Sequence, residues 1–455
     1  MVTGSCYYVD TGYHRILVDC GMFQGAEFRK YNHEPFPFDP AQIEYVFLTH
    51  AHVDHCGKLP VLAKQGFHGR IISTRATRDL VRILLEDSAH VQKDNSGRCE
   101  RRGEYDCGDR VLYSVEEAQD VMQYFDTFPY GDSIKLSENL EFRIRDAGHI
   151  LGSAIFEIWA KDASGTQGKL QKLVFSGDLG QPGQRIVRDP DLVREADYVV
   201  VESTYGNRIH KSKDETLEEL RLIIKKAREE KGNVLIPSFA VERAQELLYE
   251  LNLFVENDLV GGDISVYFDS PLAQKATEIF KRYSELYDED ARRLIEGGDE
   301  IFDFKGLTYV DKFSDSRRLA ARKGIIILAG SGMCTGGRIL YHLENNVADP
   351  NNHLVFAGFQ VKGTKGRELV DGSETTRLRG RSYQVNVQVH TLGGFSAHGD
   401  QRDLEYWLSG FGNSPERVFV VHGDEDVAEF FSTHVRKTLG VDTYVPNYGE
   451  EVELE

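Results

Sequence analysis

The sequence predicts an α/β protein built as one domain interrupted by a second. Three observations carry that expectation. Short strands ending in Asp, Gly or His fill the first third; long amphipathic helices alternating with buried strands take over after Tyr198-Val-Val-Val201; short strands return from Val385. The 455 residues leave room for two or three cores at about 150 residues per domain.

In the first third, apolar-rich runs bounded by turn residues predict strands at Arg15–Asp19, Tyr45–Thr49, Leu140–Ile144, Ala154–Ile158 and Lys172–Phe175. Helices are expected from Thr77 to about His90 and from Val115 to Phe125. Next, Thr216–Lys231 sets Leu217, Leu220, Ile224 and Ala227 at helical spacing. Strand Asn233–Ile236, helix Val241–Phe254, strand Ile264–Phe268, helix Pro271–Tyr283 and strand Gly324–Leu328 follow. Such alternation suggests a parallel sheet covered by helices. Strands Val385–Val389 and Arg417–Val421 then come with helices Gln401–Leu408 and Val427–Leu439.

Composition narrows the function classes. The longest uninterrupted aliphatic run, Ile325–Ala329, is far short of the ~18 residues a membrane span needs. The start, Met1-Val-Thr-Gly-Ser-Cys6, has neither a basic nor an apolar leader region, so a cytoplasmic chain with no membrane partner is expected. The net charge of −19 argues against a polyanionic ligand. Against that average, Gln360–Val385 carries Lys362, Lys365, Arg367, Arg377, Arg379 and Arg381 opposed by three acids, which reads as a solvated loop or a local basic groove. The six cysteines lack CxxC spacing and are expected to be reduced; Cys99 and Cys107 flank a polar loop, and no second pair supports a metal role for them.

Histidines carry the strongest signal. Thr49-His50-Ala51-His52-Val53-Asp54-His55-Cys56-Gly57 follows directly on a strand. Residues two apart in an extended segment project to one side, so His50 and His52 can grip one ion. A turn into a helix would swing Asp54 and His55 toward a neighbouring position. Other strand ends supply His149 in Asp146-Ala-Gly-His, Asp178 in Phe175-Ser-Gly-Asp, and His422 in Val420-Val-His. Each alone reads as a turn or core residue. Together they suffice for two borderline metals sharing a carboxylate, and nitrogen and oxygen donors without thiolate suit Zn²⁺, with Mn²⁺ the alternative.

The HxHxDH stretch with His149, Asp178 and His422 resembles the metallo-β-lactamase superfamily. Glu202-Ser-Thr-Tyr-Gly206, Pro237-Ser-Phe-Ala-Val-Glu-Arg243, Ser331-Gly-Met333, Gly394-Phe-Ser-Ala-His398 and Val421-His-Gly423 narrow the likeness to the β-CASP nucleases of RNA processing. It spans essentially the whole chain. It implies an αββα sandwich with an inserted β-CASP α/β domain: residues 1–204 and 386–455 form the metallo-β-lactamase domain and 205–385 the insert. Members usually carry a strand before the Val2–Cys6 segment, so an exposed sheet edge is expected here.

Carried over position by position, the resemblance implies that His50, His52 and His149 hold one zinc. Asp54, His55 and His422 hold the other, and Asp178 bridges them. Asp19 matches the first family motif, a carboxylate that orients ligands. Glu202 and His398 match motifs of the nuclease branch, with His398 as the acid that protonates the leaving 3′-oxygen. Arg243, Ser331, Ser396, Lys362, Lys365 and Arg367 are candidate contacts to single-stranded RNA. His14, His68 and His390 match no functional motif.

The expected activity is a two-zinc ribonuclease whose activated water leaves 5′-phosphate and 3′-hydroxyl ends. A DNA-acting β-CASP nuclease is the first alternative, but that branch commonly has Val where His422 stands. A non-catalytic scaffold subunit is the second, but such members lose ligands that are all present here. Endonucleolytic or 5′-exonucleolytic action, the RNA target and the oligomeric state, a homodimer included, stay open at this level.

Overall fold

The computed structural model describes residues 2–25, 27–102, 110–163 and 170–454, and only the backbone of residues 98–102. Cys107 and the Cys99 side chain lie outside that description. The chain divides into two compact units, residues 1–209 with 398–455, and residues 210–397.

The first unit is a sandwich of two sheets. One has five strands in the spatial order Tyr7–Asp10, Arg15–Val18, Tyr45–Phe47, Arg70–Ser73, Phe125–Thr127. The other has seven, in the order Thr443–Tyr444, Arg417–Val421, Tyr198–Glu202, Leu170–Phe175, Ala154–Lys161, Leu140–Asp146, Ser133–Lys135. Strand alternation decides what each face buries. Ile16, Val18, Phe47 and Ile72 meet Phe142, Ile144, Phe156, Ile158, Leu173 and Phe175 between the sheets. On the outer face of the larger sheet, Val174, Val199, Val201, Val418 and Val420 pack on helices Gln401–Ser409 and Glu425–Leu439 through Leu404, Trp407, Phe431 and Val435. Leu17, Val46 and Ile71, on the outer face of the smaller sheet, are equally buried.

The second unit carries a six-stranded, wholly parallel sheet in the order Leu307–Tyr309, Ser265–Asp269, Ile325–Ala329, Val234–Pro237, His353–Phe356, Gln388–Thr391. Helix Lys213–Glu229 begins at a Ser212/Glu215 capping box, which satisfies two backbone donors at once. It buries Thr216, Leu220, Ile223, Ile224 and Ala227.

Several boundaries differ from the sequence reading for identifiable reasons. The helix expected to stop near His90 runs Arg75–Arg102, because its last turns are polar and show no apolar period. The second expected helix ends at Asp120, and Phe125 opens an edge strand parallel to Arg70–Ser73. The strand expected at Val385–Val389 is Gln388–Thr391. It pairs with His353–Phe356, so the second unit runs to residue 397 rather than 385. Gln360–Val385 is not one loop: it holds helix Lys365–Val370 and an antiparallel pair, Thr375–Leu378 with Arg381–Gln384.

That same pairing stacks His390 on His353, with ring centroids 5.2 Å apart. Burial, then the neighbouring His353, hold His390 down at about 4, and burial also depresses His353 despite its contact with Glu230. In the unfolded chain both would titrate near ~6.5. Between those values the unfolded chain binds more protons than the folded one, so stability rises with pH across the window and is lost on acidification. Thermal melts should therefore fall as pH drops from about 6.5 toward 4, and His390→Gln should flatten that slope.

Candidate metal centre

Strand ends deliver the polar groups. Tyr198–Glu202 runs parallel to both Leu170–Phe175 and Arg417–Val421, so Asp178, Glu202 and His422 gather at one edge of the sheet. From the other sheet, Asp19 follows Arg15–Val18, and His50 follows Tyr45–Phe47. His52 is the N-cap of the short helix Val53–Cys56, which carries Asp54 and His55.

Three groups of donor atoms result among the described residues, two of them rich in histidine and a third made of Asp178, Glu202 and His398. In the first, His52 Nδ1 lies 3.1 Å from His50 Nε2 and 3.1 Å from His149 Nε2. Asp178 Oδ2 lies 3.4 Å from His50 Nε2 and 3.6 Å from His149 Nε2. Tetrahedral coordination with bonds of ~2.0–2.1 Å sets neighbouring donors ~3.3–3.4 Å apart, the spacing seen here. In the second cluster, Asp178 Oδ1 is 3.4 Å from His55 Nε2 and 3.6 Å from His422 Nε2, and Asp54 Oδ2 is 3.9 Å from His422 Nε2. His55 Nε2 and Asp178 Oδ1 are buried without any hydrogen-bond partner, an arrangement that leaving a polar group dry makes unfavourable. A cation between them removes the penalty. The donor set suits metal ions, and the two oxygens of Asp178 face one cluster each.

Outer contacts fix the rings. Asp19 Oδ2 accepts from His55 Nδ1 at 2.7 Å, while Asp19 Oδ1 accepts the Thr49 amide at 2.8 Å. Thr49 Oγ1 sits 3.0 Å from His50 Nδ1, and Ser5 Oγ 2.8 Å from His422 Nδ1. Such partners orient the rings and select the tautomer that leaves the inward nitrogen for a metal. Asp19 (φ 62°) and His422 (φ 47°) both adopt the left-handed region. A non-glycine residue costs about 1–3 kcal/mol there, and strain of this kind clusters at functional sites. Thr49 and Ser5 escaped the sequence reading. Thr49 had a signal, lying within the His-rich stretch; Ser5 had none, since its partner is 417 residues away.

Burial and repulsion among neighbouring imidazoles hold His50 and His422 well below the ordinary histidine range; burial, opposed by Asp54 but aided by His398 and His55, brings His52 to about 4. Neutral imidazole is the form that binds metal. His55 goes the other way: burial lowers it, but Asp178 and Asp19 together raise it well above that range. Burial raises Asp178, partly offset by His55.

Beside the clusters, His398 Nδ1 lies 3.0 Å from Glu202 Oε1 and 3.9 Å from Asp178 Oδ2. Glu202, 1 % exposed, is pinned by the Leu179 amide at 2.7 Å and the Thr204 amide at 3.2 Å. Burial disfavours the His398 imidazolium, but Glu202, with Asp178 and Asp54, outweighs it and brings the ring up to about 9.

Backbone packing around the clusters is tight. A Cβ on Gly21 would sit 1.6 Å from the Asp54 carbonyl oxygen and 2.9 Å from the Ser5 amide. Gly21→Ala must therefore push apart the segments that carry Asp54 and the Ser5 support of His422. Metal content on elemental analysis should fall below that of the wild type, with the first cluster retained.

The candidate substrate contacts lie in the second unit. Arg243 is 7 % exposed and ion-paired with Glu246. Lys365 pairs with Glu368, and Arg367 with Asp371 at 2.8 Å, both along helix Lys365–Val370 and its C-cap. Lys362 is exposed, with no ion pair among the described residues. Ser331 Oγ accepts from the Thr335 and Gly336 amides at 3.1 and 3.2 Å, and Ser396 is partly buried. Side-chain pairing at helical spacing explains why a charge count overstated the free cations. His14, His68 and His390 contact Glu44, the Gly66 carbonyl and His353 respectively, away from the clusters.

Among the described residues, no helix is long and apolar enough to cross a membrane. Comparison with known proteins gives matches along most of the chain. Residues 2–106 match the metallo-beta-lactamase superfamily, 244–369 the Beta-Casp domain, and 382–446 the Zn-dependent metallo-hydrolase RNA specificity domain. Ribonuclease TTHA0252 of Thermus thermophilus is 37 % identical over 454 residues, covering 100 % of this chain and 95 % of its own. Transcription termination factor FttA of Methanocaldococcus jannaschii is 30 % identical, covering 97 % of this chain and 68 % of its own. The Pyrococcus horikoshii FttA is 29 % identical, covering 99 % and 69 %.

Proposed function

Because this chain belongs to the β-CASP nucleases of the metallo-β-lactamase superfamily, we propose that it is a two-zinc ribonuclease that hydrolyses single-stranded RNA to 5′-phosphate and 3′-hydroxyl ends. The observation that carries this reading is the Asp178 carboxylate, whose oxygens face two separate histidine clusters at coordination spacing. His50, His52 and His149 would hold one ion, Asp54, His55 and His422 the other, and Asp178 both; Mn²⁺ would fit the same donors. Two bound dications would supply Lewis acidity toward water and the scissile phosphate.

The chain's own groups do the rest. Glu202 orients His398 through Nδ1 and favours its protonated form. His398 then holds a proton at its other ring nitrogen and delivers it to the departing 3′-oxygen, as a general acid must. Asp19, Thr49 and Ser5 keep the histidine rings aimed inward.

Incubating the purified chain with RNA labelled at the 5′ or the 3′ end tests the function. Cleavage that stops on chelation and returns with zinc supports it; internal fragments indicate endonuclease action and mononucleotides 5′-exonuclease action. A folded, metal-loaded protein that leaves RNA intact but cuts single-stranded DNA would overturn it.

A further inference from the structure

We propose that Phe239 and Phe359 form a base-stacking platform, at the carboxyl edge of the parallel sheet in the second unit, that grips nucleotides of single-stranded RNA. This deepens the ribonuclease reading and rests on it. Three loops leave that edge: one after Val234–Pro237 carrying Phe239, one after Ile325–Ala329 carrying Gly330–Gly337, and one after His353–Phe356 carrying Phe359. In open α/β sheets this edge is where ligands bind.

The loops are joined around one glycine. A Cβ on Gly332 would lie 2.9 Å from Phe239 Cδ2, so the phenyl ring packs directly on the backbone there. Gln360 Nε2 donates to the Gly332 and Phe359 carbonyls, both at 3.2 Å, and Ser238 N–H donates to the Ala329 carbonyl at 3.0 Å. Yet Phe239 is 48 % exposed, Phe359 45 % and Val361 45 %. Exposed apolar side chains gathered on loops that are hydrogen-bonded to one another form the kind of patch that marks a binding surface.

Two features favour a nucleotide over a protein partner. The Ser331 hydroxyl takes the Thr335 and Gly336 amides and so fixes the loop. Among the described residues no acceptor takes the consecutive Gly332 and Met333 amides, and consecutive backbone N–H groups make an anion nest. The Gly332 backbone lies directly beside the Phe239 ring, so a phosphate held by these amides would sit next to a base stacked there. Meanwhile Arg243, Lys365 and Arg367, three of the basic residues that the sequence offered as backbone contacts, are held in internal ion pairs. Aromatic stacking does not depend on charge, because every base offers a π-face.

The test measures binding of the full metal-loaded chain to a hydrolysis-resistant phosphorothioate RNA, across a salt series. Phe239→Ala and Phe359→Ala should each weaken binding by roughly 5- to 150-fold, with the slope of affinity against salt unchanged. Phe239→Leu, which keeps an apolar cover on Gly332, should weaken it too, whereas Phe239→Trp should keep it. Irradiation of 5-iodouridine RNA should crosslink to the peptide containing Phe239. Wild-type affinity in the Ala and Leu variants overturns the proposal, as does a Leu variant equal to wild type when Ala is weak, since that pattern means packing alone. Wild-type protein that neither binds nor cleaves RNA would instead sink the ribonuclease reading itself.

Discussion

Asp178→Ala is expected to abolish cleavage and to strip metal from both clusters at once. Its two oxygens lie within 3.4–3.6 Å of four different histidine nitrogens, two in each group, so its loss removes a donor from both. Asp54→Ala should also abolish cleavage but leave the first cluster's ion in place, because only the second cluster contains Asp54. Elemental analysis of the two variants separates these outcomes: near zero for Asp178→Ala, near one equivalent for Asp54→Ala. Asp178→Asn keeps the shape without the charge and should retain the fold, measured by circular dichroism, with metal reduced. An active Asp178→Ala protein, or a folded and active wild-type protein without transition metal, would end the two-metal reading.

His398→Ala is expected to keep both metals and the fold while cleavage falls by ~10²–10⁴-fold, the usual contribution of a positioned general acid. His398 touches Asp178 only at 3.9 Å, and each histidine cluster has its donors without it. An RNA with sulfur in place of the scissile 3′-oxygen should shrink the defect, since a thiolate leaves without being protonated. Glu202→Gln should give a smaller loss. It should also lower the pKa of the catalytic acid, because Glu202 is the main influence raising His398. Loss of zinc from His398→Ala, or no rescue by sulfur, would show that the ring serves as a ligand or a helix cap instead.

How much of this was legible beforehand follows from where each interaction is encoded. Four residues of metal-ligand type within six positions, directly after a strand, announce chemistry whatever the fold. The period of apolar residues placed most strands and helices, but it said nothing where polar turns extend a helix, as beyond His90. The nuclease motifs named Glu202 and His398 by likeness, whereas their contact joins residues 196 apart in the chain.

By itself the sequence determined the donor inventory, the alternation of elements and the family, since these depend on residue type and local spacing. Tertiary structure alone decided which carboxylate oxygen faces which cluster, and that Ser5 steadies His422. It also decided that Gln388–Thr391 joins the insert sheet, and that Lys365 and Arg367 are spent on their helical neighbours. The physical reason is that register, burial and ion pairing are set by which distant segments meet. A donor atom's direction, unlike its chemistry, is fixed only when the chain around it has packed.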